Sequence, residues 1–516
     1  MSREHIKSAI DNARMIYTGD EDPNEAGEST NAPLPDAPPD GAELRPKDSL
    51  TEINVVEIGA RKLAPKLRKC AVPQGDQLLT EDAAAIEFAR RYGGRLRFDH
   101  DAGMWREWTG FVWRENKTGI AFHFARELAR ELAKTEPDRV RLSVNKTSFA
   151  SGVERFARAD PVFATTAEFW DRDPMLLGTP SGVVDLRTGR RRASRPEEGF
   201  TKSTAVAPAD NADCPLWTRF LSEATGGDVE MIRFLRQWCG YSLTGDTREH
   251  ALVFVCGPGG NGKSVFLNVL TGILGDYATT ATMDAFIAAH GDRHSTDLAM
   301  LRGARLVTAS ETEEGRQWAE ARIKQLTGGD PITARFMRQD NFTFIPQFKL
   351  TIVGNHKPTL RTVDDAHRRR FNLVPFNHKP ATPDHQLEQK LRAEWPAILQ
   401  WAIQGCMDWR ASGLVRPSAV VKATADYFSD QDLLAQWLAE ECDAEPGNRY
   451  KCATSATLFA SWSTYASQAG EHSGNRKSFA EQLERRGFEN RKGTGGVREF
   501  RGVRLKTRNE GADEAR

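Results

Sequence analysis

The sequence predicts an α/β protein, and three observations carry that prediction. An apolar run at 252–256 passes through a glycine-rich loop into helical periodicity. Short apolar runs recur at 305–311, 348–353 and 371–376, the pattern of strands buried on both faces of a largely parallel sheet. Flanking this core are a mixed α+β stretch and, beyond it, a basic helix-and-hairpin stretch.

The central stretch, ALVFVCGPGGNGKSVFLNVL at 251–270, satisfies G-x-x-x-x-G-K-S with Gly257, Gly262, Lys263 and Ser264 in register. Glycines let backbone N–H groups wrap a phosphate chain, and the following helix presents its positive end. The loop Gly257, Pro258, Gly259, Gly260, Asn261, Gly262, Lys263, Ser264 and Val265 is therefore the expected nucleotide cradle. Lys263 is expected to reach the β/γ-phosphates and Ser264 to ligate Mg2+, making MgATP the expected ligand. Val265, Phe266, Val269, Leu270, Ile273 and Leu274 give the helix after the loop an apolar face.

Composition bounds the rest. With 516 residues the chain exceeds one ordinary core, so several domains are expected. Lys+Arg and Asp+Glu both number 71, so any nucleic-acid binding must come from local patches. The seven cysteines, at 70, 214, 239, 256, 406, 442 and 452, are scattered and never form C-x-x-C, which argues against a disulfide framework or zinc ribbon. No apolar run is long enough for a membrane span, and no basic-then-apolar start reads as a secretory signal. A cytoplasmic protein with no membrane partner is the expectation.

In chain order, residues 1–77 read as a mostly disordered tail, rich in Pro, Gly and acids over 19–50. An accessory domain follows at 78–210. It opens with a helix stopped by Gly93-Gly94, then short strands at 96–98, 104–108 and 111–113, then helices near 119–135 and 146–158. Its tryptophans are assigned to packing rather than base stacking. Asp99 and Asp101 are closely spaced, but they sit in a predicted hairpin beside core aromatics and do not suit two-metal chemistry.

The core domain spans 211–380. Its second strand ends at Glu311, where an acid can hold Mg2+ or polarise water. Its third ends at Gly354-Asn355, where the Asn355 amide can report the γ-phosphate. Between them Arg335 and Arg338 lie on a predicted β-hairpin with a charged tip, a candidate DNA probe. Arg368-Arg369-Arg370 precede the last core strand, and in a ring one of them can reach a neighbour's γ-phosphate. His290, Asp292 and His294 read as exposed loop residues rather than a metal site.

A helical connector is expected at 381–440 and a winged helix at 441–508. In the latter, Ser478 and Glu481 read as a capping box and Gly487 as a helix stop. Arg485, Arg486, Arg491, Lys492, Arg498, Arg501, Arg504 and Lys506 form its expected basic face, with Arg491 and Lys492 in the wing as DNA contacts.

GPGGNGKSVF, RLVTASETEEGR, KQLTGGDPITARFM, FKLTIVGNHKP and DDAHRRRFNLVPF, in this order, resemble a superfamily 3 helicase. The nearest resemblance is to the helicase half of phage and plasmid primase-helicases, relatives of the poxvirus type. WDRDPMLLGTPSGVVDLRTG and FLRQWCGYSLTGDTREH resemble the domain that precedes the ATPase in those proteins. The resemblance implies an AAA+-like architecture: a homo-oligomeric, hexameric ring that hydrolyses ATP at subunit interfaces and pulls single-stranded DNA through its centre, usually 3′ to 5′, with single-stranded and forked DNA as its partners. It implies replication of a phage, plasmid or integrated element in a bacterial host, with a separate primase or initiator as partner. Carried over, Lys263 and Ser264 belong to the P-loop, Glu311 to the acidic strand end and Asn355 to the sensor. Arg369 or Arg370 becomes the trans finger, and Arg335 or Arg338 grips DNA.

Two departures stand out. Ser310 occupies the place where relatives often carry a second acid, so Glu313 or Glu314 can share the role of Glu311. Fewer than about 80 residues precede the accessory domain, so primer synthesis by this chain alone is not expected. The rival reading is a nucleotide-switched DNA-binding or defence ATPase without processive unwinding.

Overall fold

The computed structural model describes residues 79–288, 296–310, 316–338, 340–360, 365–380, 382–493 and 496–506. The expected tail at 1–77, Glu311, Glu313, Glu314 and the His290, Asp292 and His294 group lie outside them.

Five parallel strands form the centre: β1 (Leu252–Cys256), β2 (Ala278–Thr280), β3 (Leu306–Ser310), β4 (Lys349–Gly354) and β5 (Phe371–Pro375), in the order β5-β1-β4-β3-β2. Four of these match the expected apolar runs, and β2 is an additional edge strand. Side chains alternate between the faces with period two, so one strand feeds two cores. Val253 and Val255 join one hydrophobic cluster, whereas Leu252, Phe254 and Cys256 join the other.

The first face is covered by α1 (Pro215–Thr225), α2 (Val229–Ser242), α3 (Lys263–Leu274) and α6 (Trp395–Ser412). The second is covered by α4 (Glu320–Gly328) and α7 (Ser418–Gln431), which contributes Tyr427 and Phe428. Between these, α5 (Asp365–Arg370) leads into β5. Helices α6 and α7 come from the segment expected as a connector, and both bury core side chains. The crossing of α2 with α6 is close because it is made by glycines. A Cβ on Gly240 falls 2.0 Å from the Cys406 nitrogen, and one on Gly405 falls 2.0 Å from the Arg236 oxygen.

The accessory segment carries its own core. Helices Glu81–Tyr92, Ile120–Leu132 and Thr147–Ala159 pack on a four-stranded sheet that includes Leu96–Asp99 and Met104–Trp108. Trp105 and Trp113 are buried, and their indole N–H groups donate to Glu154 at 2.7 Å and to the Pro196 carbonyl at 2.9 Å, so they serve packing. Asp99 is also buried and accepts from the Trp170 indole at 2.8 Å and from two backbone N–H groups. A short helix, Asp138–Val144, was not expected from the sequence.

Buried Arg305 ties this segment to the core, donating to the Leu243 carbonyl at 2.6 Å and the Leu176 carbonyl at 2.7 Å. Its guanidinium lies over the Tyr277 ring.

At the C-terminus, helices Leu433–Glu441, Ser455–Gln468 and Arg476–Arg485 pack with short antiparallel strands around Trp437, Leu458, Phe479 and Phe500. Helix Arg476–Arg485 begins one turn earlier than the capping-box reading placed it. Asn475 is the cap and accepts from the Ser478 N–H at 2.8 Å, so Ser478 sits inside the first turn.

Candidate functional site

Parallel strands in register bring their carboxyl ends to one edge of the sheet. Cys256 lies opposite both Gly354 and Pro375, and Ser310 lies opposite Val353. The glycine-rich loop, Asn355 and the end of β3 therefore share that edge, where ligands of open α/β sheets bind. Asn355 is exposed there; Glu311, one residue past Ser310, lies outside the described residues.

The loop conformation requires its glycines. Gly257, Gly260 and Gly262 have φ of 150°, 82° and 83°. A Cβ on Gly257 falls 2.1 Å from the Phe376 oxygen, and one on Gly262 falls 2.4 Å from the Phe220 ring. By contrast, Gly259 and Gly260 face open space, and Pro258, Gly259 and Gly260 are exposed. Backbone packed below and open above is a cradle.

Lys263 begins α3, and its ammonium donates to Gly257 O at 2.7 Å, Pro258 O at 3.1 Å and Asn261 Oδ1 at 2.9 Å. Its side chain makes no ion pair among the described residues, so three neutral acceptors hold an uncompensated positive charge in a buried position. Burial lowers its pKa; Cys256 opposes that and the charge of Lys379 adds to it. Buried Asn261 bridges, accepting from Lys263 and donating to the Phe376 carbonyl. Ser264 is exposed at the start of α3, and Val265 is half-buried. An electropositive cradle with an open side, a helix N-terminus and a hydroxyl fits a magnesium-bound polyphosphate.

Two cations at this edge escaped the sequence reading. Lys357, just after β4, is felt at the Cys256 thiol, whose pKa burial raises. Lys379 follows β5 by four residues and is felt at Lys263. The rule that ligands sit beyond the carboxyl ends of parallel strands points to both loops.

The other candidates lie elsewhere. Arg369 and Arg370 end α5 at the amino end of β5, the opposite edge from the glycine-rich loop, about 17 Å away along a five-residue strand. Arg369 is exposed, and among the described residues its side chain bonds the Asp365 carbonyl at 3.3 Å. Arg370 is half-buried and donates to Thr327 Oγ1 at 3.2 Å and Ala366 O at 2.8 Å. Arg335 and Arg338 are exposed on the hairpin formed by Ile332–Ala334 and Phe342–Phe344, and neither makes an ion pair among the described residues. Beside them, Phe336 stacks on Phe342 at 5.4 Å and Met337 is exposed.

Pairing reduces the basic face of the C-terminal segment. Arg491 is bonded to Glu499 at 2.6 Å, Arg486 pairs with Asp432, and Arg504 pairs with Asp443 at 2.8 Å. Arg485, Lys492 and Arg498 make no ion pair among the described residues. No helix of the described residues is long and apolar enough to cross a membrane.

Comparison with known proteins adds family. Residues 85–226 match the family described as D5 N terminal like, and residues 255–370 match a family of unknown function, DUF5906. A helicase-named protein of Acanthamoeba polyphaga mimivirus, L207/L206, is 25% identical over 325 residues, covering 58% of this chain and 33% of that protein. The helicase-named protein 022R of Frog virus 3 (isolate Goorha) is 24% identical over 263 residues, 46% of this chain and 27% of that protein. The chain thus spans about a third or less of these viral relatives' length. Among solved structures, the apo NrS-1 C terminal region (305-718) is similar with a TM-score of 0.46 at 11% identity, covering 83% of this chain and 100% of that one. Its D5 N-terminal-like segment and its helicase-named viral relatives make the chain similar to D5-type helicases.

Proposed function

We propose that the chain is an ATP-dependent DNA helicase of the superfamily 3 type, working as a homo-oligomeric ring, with hexamer the expected size, on single-stranded and forked DNA. In this reading the five-stranded sheet is an AAA+-like P-loop core and the C-terminal segment is a winged helix. The setting is replication of a phage, plasmid or integrated element, with a separate primase or initiator.

The observation that carries the reading is the shared sheet edge: the uncompensated Lys263 and its open cradle lie beside Asn355, while Arg369 stands at the opposite edge. Gly259 and Gly260 offer backbone N–H groups to the phosphates, and Lys263 turns from the loop carbonyls to the β- and γ-oxygens. Ser264 and Glu311 would hold Mg2+, which supplies charge neutralisation on those oxygens. Glu311 orients the attacking water, and the Asn355 amide donates to the γ-phosphate. Because Arg369 is a strand length from its own cradle, it can serve only a neighbouring chain's site. ATP sites then lie between chains, and hydrolysis at each moves the Arg335 and Arg338 hairpin along DNA.

The rival, a nucleotide-switched DNA-binding ATPase, draws support from the neutralised wing, where Arg491 is held by Glu499. ATP hydrolysis by wild type and Lys263→Ala, with and without single-stranded DNA, separates them. The helicase reading expects DNA-stimulated turnover that the substitution abolishes; turnover indifferent to DNA favours the rival.

A further inference from the structure

The loop after β5 is knitted to the glycine-rich loop. The Phe376 N–H donates to the Cys256 carbonyl at 2.7 Å, and its own carbonyl accepts from Asn261 and abuts Gly257. Two residues on, the His378 ring packs against Gly226 at the end of α1, so closely that a Cβ there falls 2.4 Å from Nε2. Phe376 is thus held by the glycine-rich loop, and the His378 ring lies against the end of α1. Lys379 follows directly, exposed, and Pro380 after it restricts its backbone to extended conformations. Its side chain makes no hydrogen bond or ion pair among the described residues.

We propose that Lys379 is a second phosphate-binding cation, supplied in cis by the loop after β5 to the polyphosphate of a nucleoside di- or triphosphate. The inference rests on the reading of the glycine-rich loop as a nucleotide site. Two lysines on adjoining loops repel, and a polyanion relieves that repulsion. Asn261 links the two loops, accepting from Lys263 and donating to the Phe376 carbonyl three residues before Lys379. A rigid platform matters as much as the charge. A lysine on a free loop loses rotamer and backbone freedom on binding, whereas here neighbouring residues are already held.

The test is a titration of full-length wild type, Lys379→Ala, Lys379→Arg and Lys263→Ala with a fluorescent ADP analogue and magnesium, with melting midpoints in parallel. Loss of one charge-assisted phosphate contact is expected to raise Kd roughly tenfold or more in Lys379→Ala. Lys379→Arg is expected to restore most of it, with melting midpoints at the wild-type value. Wild-type affinity in Lys379→Ala, with Lys263→Ala impaired, overturns the inference and leaves the nucleotide site standing. A weaker Lys379→Ala that also melts early, and that arginine does not rescue, overturns it as a packing effect. Absence of binding by wild type overturns both.

Discussion

Alanine at three glycines of one loop should separate folding from binding. Gly262 has φ of 83° and its Cβ would fall 2.4 Å from Phe220. That ring cannot yield easily, because Phe220 is 6% exposed and packs on Trp217, itself stacked on Phe266. The left-handed conformation costs about 1–2 kcal/mol. Overpacking adds about 1–3 kcal/mol. Gly262→Ala should therefore lose about 2–5 kcal/mol. Gly260 shares the conformation, with φ of 82°, but meets open space, so its alanine should lose only the backbone part, about 1 kcal/mol. Gly259 lies outside the left-handed region and also meets nothing, so Gly259→Ala should stay within about 0.5 kcal/mol of wild type. A methyl there projects where phosphates would lie, so it should weaken nucleotide binding without unfolding the chain. Urea titrations give the first ranking and nucleotide titrations the second. Equal stability of the Gly262 and Gly259 variants would refute the packing argument.

Three further predictions concern charge. Glu87 accepts from Arg90 and Arg91, and the Arg90 hydrogen bond leads in holding its carboxyl down from 4.5 to about 2. Its stabilisation is complete above the unfolded value and is lost as pH falls towards about 2. Solvent screening limits it to about 1 kcal/mol, so in urea titrations Glu87→Gln should be weaker by that amount at pH 7 and converge with wild type in acid; parallel curves at every pH would contradict this. Arg369→Ala should abolish hydrolysis with unchanged stability, whereas Arg370→Ala, which strips Thr327 of a partner, should cost about 1 kcal/mol. Mixing Lys263→Ala with Arg369→Ala chains should restore phosphate release if the arginine acts in trans; no restoration would contradict it. Removing Lys492 and Arg498, which make no ion pair among the described residues, should weaken single-stranded DNA binding and lower its salt slope by about one per cation, and Arg491→Ala should barely change either in anisotropy titrations. Equal effects would contradict the pairing argument.

The strand, glycine loop and helix at 252–274 were legible because each step is local: β-branched run, glycine spacing, apolar periodicity. Continuous apolar runs made β3, β4 and β5 legible too, whereas the short edge strand β2 carries no such run. What local patterning cannot carry is register and long-range contact. Arg491 reads as a free cation until the hairpin register sets it against Glu499. Lys379 reads as a loop residue until β5 is placed beside β1. Helices α6 and α7 look like a connector because their partners, α2 and β5, are far away in sequence. The capping reading fell on Ser478 because it sits three residues before Glu481; the bond from the Ser478 N–H to the Asn475 side chain identifies Asn475 as the cap.

Strand separation on a forked DNA duplex with ATP tests the central proposal most directly. Wild type should release the labelled strand, and Lys263→Ala should bind the fork and release nothing. A wild-type chain that binds the fork and hydrolyses ATP yet leaves the duplex intact would contradict the helicase reading and establish the nucleotide-switched alternative.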